Sequence, residues 1–462
     1  MKVKILYIVL ATFVVIYVLT LTAMLKRNDI EILLSSRRLV LSDPKLHEED
    51  LRHLEILQEL NEVEKKIAKE DGNIIDDQQP QEVVVAPLLK GELRLNNQGG
   101  IEIRGEKPEP KTCKAERNVV FLKTHKTGSS TVINVFQRYS DHHNLEMVLP
   151  KLPTHLFKWP NKFNHSFVFE YKDGDRFNLL ANHARFHKEN MAAMMTRPSL
   201  TKFVTILREP LFQLESMFSY FKFHKPLKTS EENGLWEFFS TTESDRTQLV
   251  RNLKTMKAGV VKHLLKNPST FDLGFDQWSE YPANVSHVIK TMDQDFSLVM
   301  ISEYMLESMV LLKDELCWDL QDVVYFTLNK RPNKFRKDVG PKRETVRHWS
   351  RIDYAMYDHF NRTFWRKIEQ KGESFQRDLE KLKDMIQDLE EKCLDKGDHV
   401  DETQSWFEIE GYKIREEARG TDYYELCKRL TRSEIDYTMI LGEKQSRDGF
   451  KMHGKTRERY ES

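Results

Sequence analysis

A short apolar run followed at once by a glycine-containing hydroxyl turn sets the tightest limit on how this chain can fold. Val119 to Leu122 is apolar and rich in β-branched residues, the pattern of a buried strand. Lys126, Thr127, Gly128, Ser129, Ser130 and Thr131 follow, and Val132 to Tyr139 then has helical periodicity. Strand, turn and helix N-terminus in that order build an anion site. Unpaired backbone N–H groups and the helix dipole face the turn, and a glycine there lets the backbone approach a phosphate closely. Lys126 adds a point charge and the hydroxyls add donors. No Gly-Lys-Ser/Thr ends this turn, so it is not a Walker A loop.

A second block has the same logic. Phe203 to Leu207 reads as a buried strand, Arg208 stands at its end, and Pro210 suits the first turn of a helix. Ser216 lies about two helical turns further on. An arginine at a strand end grips a phosphate with two parallel hydrogen bonds.

The two blocks together resemble the 5′-phosphosulfate loop and the 3′-phosphate block of sulfotransferases, which use 3′-phosphoadenosine 5′-phosphosulfate (PAPS). The resemblance implies cofactor contacts from Lys126, Thr127, Gly128, Ser129, Ser130, Thr131, Arg208 and Ser216. The start of the loop, Lys123-Thr124-His125-Lys126-Thr127, narrows it to the galactose 3-O-sulfotransferases, the group that includes galactosylceramide sulfotransferase. So do Ile301-Ser302-Glu303-Tyr304, Leu316-Cys317-Trp318-Asp319-Leu320, Tyr325-Phe326-Thr327-Leu328-Asn329 and Cys427-Lys428-Arg429-Leu430. The likeness covers about residues 117–440. It implies sulfuryl transfer from PAPS to a galactose hydroxyl, with the 3-hydroxyl expected, of a glycolipid or glycoprotein glycan.

Beyond these blocks strands and helices alternate. Phe177 to Ala181, Leu298 to Ile301 and Val323 to Phe326 read as further strands. Leu306 to Leu316, Arg351 to Ile368 and Glu373 to Lys392 read as helices. The expected fold class is α/β, with a central parallel sheet flanked by helices and ligands at the strand C-terminal ends. The sulfotransferase resemblance implies the same P-loop-like fold.

Sulfuryl transfer to an alcohol needs a leaving-group stabiliser, a base and an acceptor pocket, demands close to those of phosphoryl transfer. Lys126 is placed to neutralise charge on the bridging oxygen, and Lys123 could share that work. His125, inside the loop, suits a general base near neutral pH. His183 follows a strand and is the second candidate, and heparan sulfate 2-O-sulfotransferases place a histidine base near there. His187 is a third.

Residues 5–25 are uncharged and mostly apolar, about 31 Å as a helix, enough to span a bilayer core. They read as an uncleaved signal anchor after a cytosolic tail of residues 1–4. Lysine and arginine flank both ends, so orientation rests on other signs. A stem follows over 26–115, with a short seam of Ile56, Leu60, Val63 and Ile67 that suits either a dimer contact or a lone surface helix. The catalytic domain is expected over 116–440 and a polar tail over 441–462. Sequons at Asn164, Asn284 and Asn361 permit a luminal domain. The expected location is the Golgi membrane, single-pass and type II.

The four cysteines, Cys113, Cys317, Cys393 and Cys427, are too few for a disulfide scaffold and have no zinc spacing. Cys393 and Cys427 are candidates for a bridge across a turn-rich segment, and Cys317 reads as a buried free thiol. Lys+Arg and Asp+Glu are both 72, which gives no reason to propose nucleic acid. No metal site is expected. Asp293-Gln294-Asp295 opens a rival reading as a metal-dependent glycosyltransferase, but leaves both phosphate blocks unexplained. A non-catalytic glycan-binding membrane protein would predict a degenerate cofactor site. A heparan- or chondroitin-type O-sulfotransferase stays open as the nearer alternative.

Overall fold

The computed structural model describes residues 93–95, 101–103, 113–253, 260, 262–328, 343–404 and 407–451, all within one compact unit, Ala86–Ser462. The expected anchor at 5–25 and the seam from Ile56 to Ile67 lie outside the described residues. Among the described residues no helix is long and apolar enough to cross a membrane.

Five strands form the central sheet: β1 (Val119–Leu122), β2 (Met147–Val148), β3 (Leu179–Leu180), β4 (Lys202–Leu207) and β5 (Leu298–Ile301). Their spatial order is β2-β3-β1-β4-β5, and every neighbouring pair is parallel. The strands are mostly apolar, with the buried Thr205 inside β4, because both faces are covered. The chain leaves β1 toward β2 on one side, and leaves β4 toward β5 on the other. A crevice therefore opens at the carboxyl ends of β1 and β4, where Leu122 pairs with Thr205, and ligands of such sheets bind at that point.

Eight helices matter for the site: α1 (Ser129–His142), α2 (Pro210–Tyr220), α3 (Pro268–Asp272), α4 (Pro282–Asp295), α5 (Met305–Leu316), α6 (Arg351–Lys371), α7 (Glu373–Cys393) and α8 (Glu434–Gln445). Local chemistry sets their starts. Pro210 opens α2, and the Glu209 carboxylate accepts the Phe212 N–H at 3.0 Å. Ser433 caps α8 by accepting the Asp436 N–H at 3.3 Å. A second apolar core, with Leu214, Phe218, Phe238 and Trp349, packs beyond α2 and walls one side of the crevice.

Several expectations change. Val323 to Phe326 is not a strand. Asp319 and Asp322 form a reciprocal capping box that starts a helical turn over Leu320–Val323, and irregular backbone follows. Val324 and Phe326 are apolar because they pack, not because they pair. The strand expected at Phe177 to Ala181 shrinks to Leu179–Leu180, and Phe177 makes only an isolated bridge to Met195. Cys317 is not a free thiol: it ends α5 at φ 54° and is bonded to Cys113. Cys393 is bonded to Cys427, and the segment between them holds an antiparallel hairpin, Leu394–Gln404 with Phe407–Ile414. The packed body runs past residue 440: α8 continues to Gln445, whose amide donates to the Met147 carbonyl at 3.0 Å.

Candidate active site

The crevice is a cleft of about 890 Å³ lined by the β1–α1 turn, the end of β4, α2, the start of α8 and loops from residues 155–159 and 183. Lys123, His125, Lys126, Gly128, Ser129, Ser130, Thr131, His183, Arg208 and Ser216 all line it. The fold thus gathers into one cavity all the catalytic and cofactor residues named from the sequence except Thr127, which is buried behind the turn, and His187.

The turn is a cradle built by its own backbone. Lys126 and Gly128 both have positive φ, 58° and 75°. A Cβ on Gly128 would lie 2.8 Å from the Met305 methyl and 3.3 Å from the Ser302 hydroxyl, so this close approach at positive φ favours glycine. In the first turn of α1 the Thr131 N–H donates back to the Gly128 carbonyl at 3.0 Å, and the N–H groups ahead of it have no carbonyl one turn back along the helix. The hydroxyls divide their work. Thr127 and Ser129 point inward, and Ser129 donates to the Thr124 carbonyl at 2.7 Å. Thr124 donates in turn to the Ile206 carbonyl at 2.6 Å, which locks the turn onto β4. Thr131 accepts the Leu328 N–H at 3.0 Å. Three of the turn's hydroxyls are therefore spent on holding its shape.

The cations surround this cradle. Arg208 donates to the Lys126 carbonyl at 3.2 Å, joining the two phosphate blocks directly. The Lys126 ammonium sits 3.5 Å from the centre of the Tyr220 ring, a cation–π contact that places its charge in the cleft. Lys123 is buried and ion-paired with Glu434 of α8.

His125 is held from three directions. Its backbone N–H donates to Asp272 Oδ2 at 2.8 Å, and its ring Nδ1 lies 2.8 Å from the same oxygen. Gln213 donates to its carbonyl at 2.7 Å. The His183 ring stacks on it with centroids 4.4 Å apart, and Trp159 lies 4.7 Å away on centroids. Burial, helped by Lys123 and the neighbouring histidines, holds the His183 imidazole well below the usual histidine range. His183 stays neutral, and its Nδ1 is buried without a hydrogen-bond partner.

Other candidates fall elsewhere. His187 caps a short helix by accepting the Asn190 N–H and pairs with Glu189, outside the cleft lining. Asp293 pairs with His359 at 2.9 Å and Asp295 with Lys188, so both carboxylates of the Asp-x-Asp are engaged away from the cleft. Among the described residues His142, His143 and Asp322 bring ligand atoms within 4.8 Å of one another, but at the far end of α1, about 20 Å along it. Asn164 lies on a loop and caps its own turn, Asn284 is in the first turn of α4, and Asn361 is mid-helix with its amide oxygen buried.

Asp272, Trp159, Gln213 and Glu434 are the residues that sequence reasoning missed. Only Gln213 lies inside a motif, the Arg208–Ser216 block, where nothing singled it out, and each of the four lies at least 34 residues from His125. One motif was also passed over. Gly449 to Thr456 matches the Walker A spacing. It follows helix α8 rather than a strand, which removes the context a Walker A loop needs, and residues 452–456 lie outside the described residues.

Comparison with known proteins supplies an independent line. The family profile described as galactose-3-O-sulfotransferase matches residues 95–445. Galactosylceramide sulfotransferase of Homo sapiens is 35% identical over 348 residues, covering 71% of this chain and 79% of that protein. Galactose-3-O-sulfotransferase 2 of Mus musculus is 33% identical over 353 residues, 69% of this chain and 83% of that protein. Galactose-3-O-sulfotransferase 3 of Homo sapiens is 32% identical over 369 residues, 75% and 81% respectively.

Proposed function

This chain belongs to the galactose-3-O-sulfotransferase family, and from that premise we propose how its cleft performs sulfuryl transfer, with PAPS as donor and His125 as base. The enzyme transfers a sulfuryl group to galactose of a glycolipid or glycoprotein glycan, and the 3-hydroxyl is the position we assign. PAPS supplies the sulfuryl group already activated as a mixed anhydride with phosphate. The residues present fit it. The positive-φ turn of Lys126 and Gly128, which lines the cleft at the α1 N-terminus, suits the 5′ end. Arg208 and Ser216 suit the 3′-phosphate.

Each side chain then has a physical task. Lys126 offsets the charge that grows on the leaving phosphate oxygen. Lys123, neutralised by Glu434, is a weaker candidate for that work. His125, with Nδ1 toward Asp272, accepts the galactose hydroxyl proton at Nε2. His183, neutral and stacked beneath, orients the acceptor. The observation that carries the reading is the position of His125. It is part of the anion-binding turn itself, so base and donor site share one backbone segment.

The anchor at residues 5–25 and the sequons fit a single-pass Golgi enzyme with a luminal catalytic body. Asn164, on a loop, is the preferred glycan acceptor, and Asn361, with its buried amide oxygen, the poorest. A mobility shift on glycosidase treatment tests this.

The deciding experiment uses radiolabelled PAPS with terminal galactosides beside heparan and chondroitin acceptors, followed by linkage analysis. Label on galactose O-3 is expected. Label on polysaccharide acceptors alone would replace the galactose reading. His125→Ala should lower turnover by about 10²–10⁴-fold with little change in affinity for adenosine 3′,5′-bisphosphate. If His183→Ala abolishes turnover while His125→Ala keeps most of it, the base is His183.

A further inference from the structure

Asp272 ends the five-residue helix α3 and is fully buried. A carboxylate out of water needs donors around it. Its donors here are unusual in identity. The His125 backbone N–H and the His125 ring Nδ1 both reach Oδ2 at 2.8 Å, and Nδ1 is 3.1 Å from Oδ1. The Trp159 indole N–H reaches Oδ1 at 2.9 Å. Two of its donors therefore belong to the base, and the third belongs to an aromatic residue of the cleft wall.

We propose that Asp272 is a positioning residue for sulfuryl transfer, fixing the His125 ring with its proton on Nδ1 and its lone pair on Nε2, and tying that ring to Trp159. The inference rests on the assignment of His125 as the base. A carboxylate facing Nδ1 accepts a proton there, and a neutral imidazole carries only one N–H. Nε2 is then the acceptor, and it is the nitrogen left for the galactose hydroxyl. Without Asp272 either tautomer is open, and one of them presents an N–H where a base is needed.

The surroundings keep Asp272 in place from a second side. Asp353 of α6 accepts the Ser269 and Thr270 N–H groups at 2.9 Å each, pinning the first turn of α3. Ser269 donates to Gln213 at 3.1 Å, and Gln213 donates to the His125 carbonyl. The helix that carries Asp272 and the loop that carries His125 are thus joined twice, once through the acid and once through the amide. A purely structural carboxylate would not need its donors to be the base and the acceptor wall.

Asp272→Asn is the discriminating change. Three N–H groups converge on two oxygens, and asparagine replaces one oxygen with a donor. If its NH₂ faces Nδ1, the imidazole proton is driven to Nε2. If it faces Trp159, the tautomer survives and the indole loses its anchor. Kinetics of the full chain with saturating PAPS and a terminal galactoside should show kcat down by about 10²-fold or more, bounded by the whole base contribution of about 10²–10⁴. Affinity for adenosine 3′,5′-bisphosphate and the unfolding temperature should stay close to wild type, and Asp272→Glu should recover part of kcat. Trp159→Phe keeps the ring and removes one donor, so it should cost less. In protein with ¹⁵N-labelled histidine, His125 should show a protonated Nδ1 in wild type.

The failures are separable. An inactive His125→Ala beside a folded Asp272→Asn that carries the His125 proton on Nε2 yet keeps near-wild-type kcat overturns this proposal alone. A proton found on Nε2 of His125 in the wild-type enzyme overturns it whatever any variant does. An active His125→Ala overturns the base assignment and this proposal with it.

Discussion

The sides of the cleft proposed for the donor and for proton handling are built from different materials. The donor side is local. One strand, one turn and the next helix, residues 119–142, make the cradle, and a second strand–helix pair adds Arg208 and Ser216. The proton-handling side is assembled from afar: His125 meets Asp272, Trp159, His183 and Gln213, contributed by four other segments of the chain. Binding phosphate mostly needs backbone N–H groups and fixed positive charge, which a short stretch can supply. Managing one proton needs a ring held in one tautomer beside groups that stay neutral, and that takes side chains from several directions. The two sides are not independent. Lys123 and Lys126, which line the side proposed for the donor, add to burial in holding His183 below the usual histidine range.

The largest effect should come from the charge nearest the departing oxygen. Lys126→Met keeps the length of the side chain and removes its ammonium. Turnover is expected to fall about 10³-fold, near the upper range for losing one preorganised transition-state contact. Affinity for adenosine 3′,5′-bisphosphate should fall less. Stopped-flow or end-point turnover with labelled PAPS, set beside calorimetric binding of the product, reads both. Equal losses in turnover and product affinity would mean that Lys126 serves ground-state binding, and the donor side would lose its catalytic member.

A smaller effect, in binding rather than turnover, is expected of Arg208→Ala. One charge-assisted phosphate contact is worth about 2–3 kcal/mol, or about 30–150-fold in affinity. Titration calorimetry with adenosine 3′,5′-bisphosphate beside adenosine 5′-phosphate separates the sites. The variant should bind the two nucleotides almost equally, whereas the parent should prefer the bisphosphate. Unchanged discrimination would remove the 3′-phosphate from Arg208, whose bond to the Lys126 carbonyl would then be its main contribution.

The same contrast explains what was legible in the sequence. Gly128, Lys126 and Arg208 could be found because strand–turn–helix chemistry is written in consecutive residues. The sheet was legible where strands are four residues or longer, as in β1, β4 and β5, each mostly apolar. It was not legible at Val323 to Phe326, where burial without pairing copies the composition of a strand. Met147–Val148, a two-residue edge strand, is too short to leave a period. Asp272 and Trp159 carried no signal at all, since their meaning arises only when α3 and the 155–159 loop meet the turn. Cys113 and Cys317 are 204 residues apart, and no spacing rule pairs cysteines over that distance.

The smallest effect tests whether the proton-handling side is held neutral. Burial and the nearby cations keep His183 well below the usual histidine value of 6.5. Below about pH 6.5 the unfolded chain therefore binds a proton there that the folded chain refuses, and stability must rise with pH across that window. This contribution is complete above pH 6.5 and is lost as pH falls below it. One such group contributes at most about 1.4 kcal/mol per pH unit. His142, His155 and His263 are pushed the same way by burial, so the parent curve holds several such contributions. Only the difference between proteins isolates one. His183→Phe keeps a ring against His125 and cannot titrate, so its unfolding free energy should fall less steeply between pH 6.5 and pH 5, as read from denaturant melts. Parallel curves would mean that His183 takes up its proton in the folded enzyme. Neither burial nor the cations beside it would then hold the ring neutral, and the proton-handling side would not depend on the charges of the donor side.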